Sequence, residues 1–216
     1  MLLKSMSSTV LFVLMVIISI ILLLVTSLTS TVAASEAFAS SFYNTDPLTR
    51  SAHQYLTIAA ALGWVSLVVL IIVFIVAFIT GEFSTIAISE ALLLNPNPTV
   101  GDIDSAKLVA DQLASGRITQ LIILVMTVVI AITAFIIGIL AAIGAAALGE
   151  MSQQDESSRA AYTSGIISAI SGLLAGVFLF IVTLSYSRVR SARDQELGKI
   201  QLFQAQNVNR VVVATS

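Results

Sequence analysis

Four long stretches of this chain carry no Asp, Glu, Lys, Arg or His: Ser5–Ser35, Gln54–Gly81, Ile118–Gly149 and Ala160–Ser187. A helix crosses about 30 Å of hydrocarbon with about 20 apolar residues, so each stretch predicts a transmembrane helix. The expected spans are 9–34, 56–80, 119–147 and 162–186, joined by a connection over 82–117 and followed by a tail over 188–216. Barrel strands would alternate apolar and polar residues over about ten positions. The run Val65-Ser66-Leu67-Val68-Val69-Leu70-Ile71-Ile72-Val73-Phe74 does not. The expected fold class is an all-α membrane protein with four transmembrane helices and short cytosolic helices.

Composition agrees with this reading. The 216 residues are 57% hydrophobic and only 10% charged, with a mean hydropathy of +1.02. A soluble domain carries about 25% charged residues. The small basic complement also excludes a nucleic-acid binder, which needs a concentrated positive surface. There are no cysteines, which removes disulfides, thiolate metal sites and cysteine nucleophiles.

The first span admits a second reading. Lys4, the apolar run Val10–Val25 and Val32-Ala33-Ala34 resemble a cleavable leader, but the run is long for one, and a retained helix is expected. Flanking charge sets the orientation. Lys4, Lys107, Arg117, Arg188, Arg190, Arg193, Lys199 and Arg210 fall on one side, Arg50 and Arg159 on the other. Both termini are therefore expected in the cytosol, with the 36–53 and 150–159 loops outside.

An offset of 109 residues superimposes Asp46 on Asp155, Arg50 on Arg159, Gly63 on Gly172 and Leu70 on Leu179, within ten identities over positions 46–73. Two helical hairpins in parallel repeat would produce this, as would two membrane entries that converged. In both copies the Asp precedes the Arg by four residues, the spacing of a helical ion pair.

Lipid gives no hydrophobic drive between helices, so small residues mark where they pack. Ser164, Ser168, Gly172 and Gly176 form a ladder in steps of four on the fourth span. Gly138 and Ala142, Ala142 and Ala146, and Ala145 and Gly149 repeat the device on the third, and Ala59 and Gly63 on the second. These predict a tight bundle, with a second copy of the chain as an alternative partner for one ladder. The first span ends in Thr26, Ser27, Thr29, Ser30 and Thr31, a hydroxyl-rich segment expected at the interface. Tyr55 and Tyr162 at one boundary, with Phe83 and Tyr186 at the other, read as aromatic belts; Trp64 is expected inside the bundle.

Ionisable residues within spans mark proton, ion and substrate paths, and these spans have none. The prolines, Pro47, Pro96 and Pro98, all lie in connections. His53 stands alone at a membrane entrance, too isolated for a metal site or acid–base catalysis, and Asp102 and Asp104 read as helix caps. Neither enzymatic activity, a cofactor nor a bound metal is expected.

Outside the membrane, short helices are expected over 84–94 and 102–115, the second with an apolar stripe of Ile103, Val109, Ala110 and Leu113. The fourth helix should continue to about Gln206, with Arg190 and Asp194 at pairing distance. Arg188, Arg190 and Arg193 are placed to meet anionic headgroups or a partner. Val211, Val212 and Val213 lie in a β-prone end, which predicts a strand added to a partner's sheet.

The segment Ala52-His53-Gln54-Tyr55-Leu56-Thr57-Ile58-Ala59-Ala60-Ala61-Leu62-Gly63-Trp64 resembles multi-span virion membrane and minor capsid proteins of large icosahedral double-stranded DNA viruses. The resemblance covers these thirteen residues and the general layout. It implies a structural role in an internal virion membrane, with the lipid bilayer and capsid proteins as partners, and it supplies no catalytic residues. The expected function is a structural anchor joining a membrane to a larger assembly. The alternatives are a passive channel or pore-forming subunit and an accessory subunit of a membrane complex.

Overall fold

The computed structural model describes residues 2–43, 47–79, 104, 108, 111, 116–149 and 156–215. Four long helices hold most of these residues: α1 (Leu2–Tyr43), α2 (Pro47–Ile79), α3 (Arg117–Leu148) and α4 (Glu156–Thr215). Each contains a stretch long and apolar enough to cross a membrane, Val13–Ser41, Pro47–Ile79, Arg117–Leu148 and Glu156–Arg188. The all-helical membrane fold read from the sequence is therefore the fold observed. The helices outrun the expected spans because nothing in their flanks stops them: α1 continues past Ser35 through Glu36 to Tyr43.

The chain forms two compact bodies. The larger, Val13–Phe74 with Met126–Thr183, is a four-helix bundle. On every helix one series of buried positions runs in steps of three and four, with further buried residues beside it. On α1 these are Val16, Ser19, Leu23, Thr26, Ser30, Ala33, Ala37 and Ser40; on α2, Ala52, Leu56, Ala59, Gly63, Ser66 and Leu70. On α3 they are Thr127, Ile130, Ala134, Ile137, Ala141 and Gly144, and on α4 Ser158, Ala161, Gly165, Ser168, Gly172, Ala175 and Leu179. A repeat of seven residues keeps one seam facing its neighbours only if the helices wind around each other left-handedly.

The repeat corrects one expected ladder. Successive steps of four rotate about 40° too far each time, so Ala142 and Ala146 turn out to the surface and Ala141 is buried instead, while Ala145 is buried as expected. The 109-residue offset carries every buried seven-repeat position of α2 onto one of α4. On α1 it takes buried Leu23 to exposed Ile132, so the common register is confined to α2 and α4.

Two apolar clusters fill the bundle. One is alanine-rich (Ala33, Ala37, Ala52, Leu56, Ala59, Ile137, Ala141, Leu148, Ala161), and the other holds larger side chains (Leu23, Leu67, Leu70, Ile130, Leu179). Small residues let backbones approach closely where bulky ones would hold them apart.

The smaller body contains Met1–Phe12, Ile75–Val125 and Leu184–Ser216. Arg117 at the start of α3 meets Asp194 of α4 at 3.5 Å, both about half exposed. Such surface pairs contribute at most about 1 kcal/mol. Tyr186, expected in a belt, is buried, as are Leu197 and Ile200. The β-prone end is corrected too: Val211, Val212 and Val213 lie in helix, which runs to Thr215. Once a helix is nucleated, each added residue costs little, and no proline or glycine follows Gly198 to stop it. A backbone bonded within a helix cannot add to a partner's sheet.

Of the expected 102–115 helix, Asp104, Leu108 and Asp111 are described, helical and exposed. The 84–94 helix, Phe83, and the acids Asp46 and Asp155 lie outside the described residues.

Candidate functional site

The interior of the bundle is polar along one seam, where α1 faces α4. The Thr26 and Ser171 hydroxyls are 2.9 Å apart, those of Ser40 and Ser158 2.7 Å, and Ser30 bonds Ser168. Ser168 also donates to the Thr26 carbonyl at 3.3 Å. Thr26, Ser30, Ser40, Ser158 and Ser168 are all essentially inaccessible. The hydroxyl-rich segment expected at the interface thus divides by face. Thr26, Ser27 and Ser30 turn inward, while Thr29 and Thr31 turn outward and donate to the carbonyls of Val25 and Ser27.

The same hydroxyls also serve their own helices. Thr26 lies 2.7 Å from the Leu22 carbonyl, Ser27 2.7 Å from Leu23, and Ser171 2.8 Å from Ile167. Each hydroxyl supplies one proton and two acceptor sites, so local and crossing bonds share them. Interhelical hydrogen bonds in membranes average about 0.6 kcal/mol and reach about 1.7. Ser168→Ala is therefore expected to lower stability by about 1 kcal/mol in reversible unfolding from mixed micelles. A loss several times larger would mean that the seam, rather than packing, holds the bundle.

Beside the seam, glycines set the closest approaches. A Cβ at Gly172 would lie 3.1 Å from both Cα and N of Gly138; one at Gly138 would lie 2.9 Å from the Leu173 nitrogen. At Gly176 it would meet the Phe135 ring at 2.9 Å. Of the expected packing residues, Gly138, Ser168, Gly172 and Gly176 are buried, Ser164 is half-buried, and Ala142 is exposed. Gly144 and Gly165 were not expected: a Cβ there would reach Leu56 Cγ at 2.8 Å and Ala145 Cβ at 3.0 Å. The alternation of three and four is the signal that locates them.

Trp64 lies on the outside of the bundle, 40% exposed, rather than within it, and its indole N–H donates to Thr31 Oγ1 at 3.1 Å. His53 is half-buried, with Nδ1 3.0 Å from the Ala34 carbonyl and its ring 5.2 Å from that of Phe38. Since a carbonyl only accepts, Nδ1 carries the proton in this contact, and the imidazole ties α1 to α2. Arg188 is exposed at the end of the apolar stretch of α4. The side chains of Arg190 and Arg193 lie outside the described residues.

Among the described residues, the buried polar side chains are Ser, Thr and a single Gln, and no three His, Cys, Asp or Glu side chains gather as a metal site would require. Hydroxyls paired across the seam in this way tie α1 to α4. No protein-family model matches the chain, no curated protein matches it, and no solved structure matches its fold.

Proposed function

We propose that this chain is a structural integral membrane protein that anchors a bilayer to a larger protein assembly, with its termini in the cytosol. The observation that supports this reading is the bundle interior. Its buried polar groups are neutral among the described residues, and the α1–α4 hydroxyls bond to one another or to their own helices. A transporter or pump needs titratable groups at depth, and a hydroxyl-lined pore needs side chains free to replace an ion's water. A seam whose hydroxyls are already paired is suited to holding position. The resemblance of Ala52–Trp64 to virion membrane proteins makes an internal virion membrane and its capsid lattice the specific setting proposed. Arg188, Arg190 and Arg193 are the proposed contacts to headgroups or to that partner.

Crosslinking mass spectrometry on the native membrane, read at Lys107 and Lys199, tests the proposal. Stoichiometric links to a scaffold or shell protein are expected. Ion flux through the purified protein in liposomes, with no such links, would replace the anchor by the channel.

A further inference from the structure

The four apolar stretches are 29, 33, 32 and 33 residues long. At 1.5 Å per residue they measure roughly 44–50 Å, well beyond the ~30 Å of a hydrocarbon core. The exposed side chains show which part meets lipid. Ser27 and Gly63 touch across α1 and α2, while Gly172 touches Gly138 and Thr26, so residues 26–27, 63, 138 and 172 share one level of the bundle.

On one side of that level the outward surface is wholly apolar. Every exposed position from Leu14 to Leu28 on α1, Ile118 to Ile139 on α3 and Ile167 to Leu184 on α4 is Leu, Ile, Val or Phe. On α3 and α4 this band covers about 22 and 18 residues, roughly 33 and 27 Å, the thickness of the hydrocarbon. On the other side the exposed surface changes character on all four helices. There it is mixed: Thr31 and Ser35 stand beside Val32 and Phe38 on α1, Gln54 and Thr57 beside Ile58 on α2, Ala142 and Ala146 beside Ile143 on α3, and Thr163 and Arg159 are exposed on α4. Trp64 sits at the change. Its half-exposed ring and donated N–H suit the boundary where one end of an indole is greasy and the other polar.

We infer that the hydrocarbon ends at Trp64 and Thr31. Beyond it, the alanine-rich end of the bundle stands in the headgroups and water as a collar on the side of the 36–53 and 150–159 loops. The continuous lipid-contacting surface is the Leu/Ile/Val/Phe band, and the exposed apolar residues of the collar are interspersed with polar and small ones. The collar encloses the cluster around Ala37, Ala52, Leu56 and Ala161, whose burial gains a hydrophobic drive that lipid would not give it. The two core clusters then differ in solvent: one is packed against water and the other against lipid.

The chain has one tryptophan and no cysteine, so both can be used as reporters. In phosphatidylcholine nanodiscs, whose two faces are open to water, Trp64 emission should be quenched most by lipids brominated near the headgroup. Single cysteines at exposed positions, Thr57→Cys, Ala146→Cys and Thr163→Cys, should react with a membrane-impermeant maleimide. Val68→Cys, Ile132→Cys and Leu174→Cys should be protected at least tenfold. Strongest quenching from bromines at the chain ends overturns the inference, as does protection at Ala146 and Thr163. Reaction at all six positions counts equally against it.

Discussion

Gly172→Leu is expected to lower the unfolding temperature of the detergent-solubilised bundle by about 5–10 °C, while Ala142→Leu leaves it nearly unchanged. At Gly172 even a Cβ would stand 3.1 Å from the Gly138 Cα and N, and at Gly138 it would stand 2.9 Å from the Leu173 nitrogen. These neighbours are backbone atoms and have no rotamer to change. The helices must separate, and overpacking of this kind costs about 1–3 kcal/mol or more, or about 2–4 °C per kcal/mol at this chain length. Gly176→Ala should be milder, because there the obstacle is the Phe135 ring, which can turn. Ala142 points outward, and surface changes stay within about 0.5 kcal/mol. Equal losses at 142 and 172 would mean that the seven-residue seam is misplaced.

The second large effect centres on Leu56. This buried side chain fills the space left by two glycines: a Cβ at Gly144 would meet its Cγ at 2.8 Å, and one at Gly165 its Cδ2 at 3.5 Å. Leu56→Ala opens a cavity and should cost about 2–5 kcal/mol. Gly144→Ala should also destabilise, since its methyl group collides with Leu56. Combined, the two changes relieve each other, because the added methyl enters the vacated volume. The double variant should recover about 1–2 kcal/mol relative to the sum of the single losses, a coupling within the range found for touching residues. Strict additivity in a double-mutant cycle would show that Leu56 and Gly144 do not share that space.

The four spans could be read from the sequence because a charge within hydrocarbon is costly, and long runs free of charge are therefore conspicuous. Glycines at helix crossings were legible for a similar reason, and Gly138, Ser168, Gly172 and Gly176 are where close packing was expected. The phase was harder. In spans apolar on every side, polarity does not distinguish the inward face, so Ala142 could not be told from Ala141 by hydropathy. Only the three-four spacing of small residues separates them. A serine bonded to its own helix looks in sequence like a serine bonded across a seam, so sequence does not show which face a hydroxyl takes. Ser30 and Thr31 are neighbours with opposite fates. The three valines near the end were read by β-propensity, a preference that depends on surroundings and yields to a helix already under way.

The pairing of α1 with α4 also bears on how the chain is made. Of the four described helices α1 leaves the ribosome earliest and α4 latest, so Thr26, Ser30 and Ser40 must spend the interval between them without Ser171, Ser168 and Ser158. Thr26 spans the wait through the Leu22 carbonyl, and Ser19 and Ser27 are settled in the same way on Met15 and Leu23. A newly made α1 can thus rest in the membrane with Ser19, Thr26 and Ser27 bonded to its own carbonyls, and the arrival of α4 adds crossing partners for Thr26, Ser30 and Ser40.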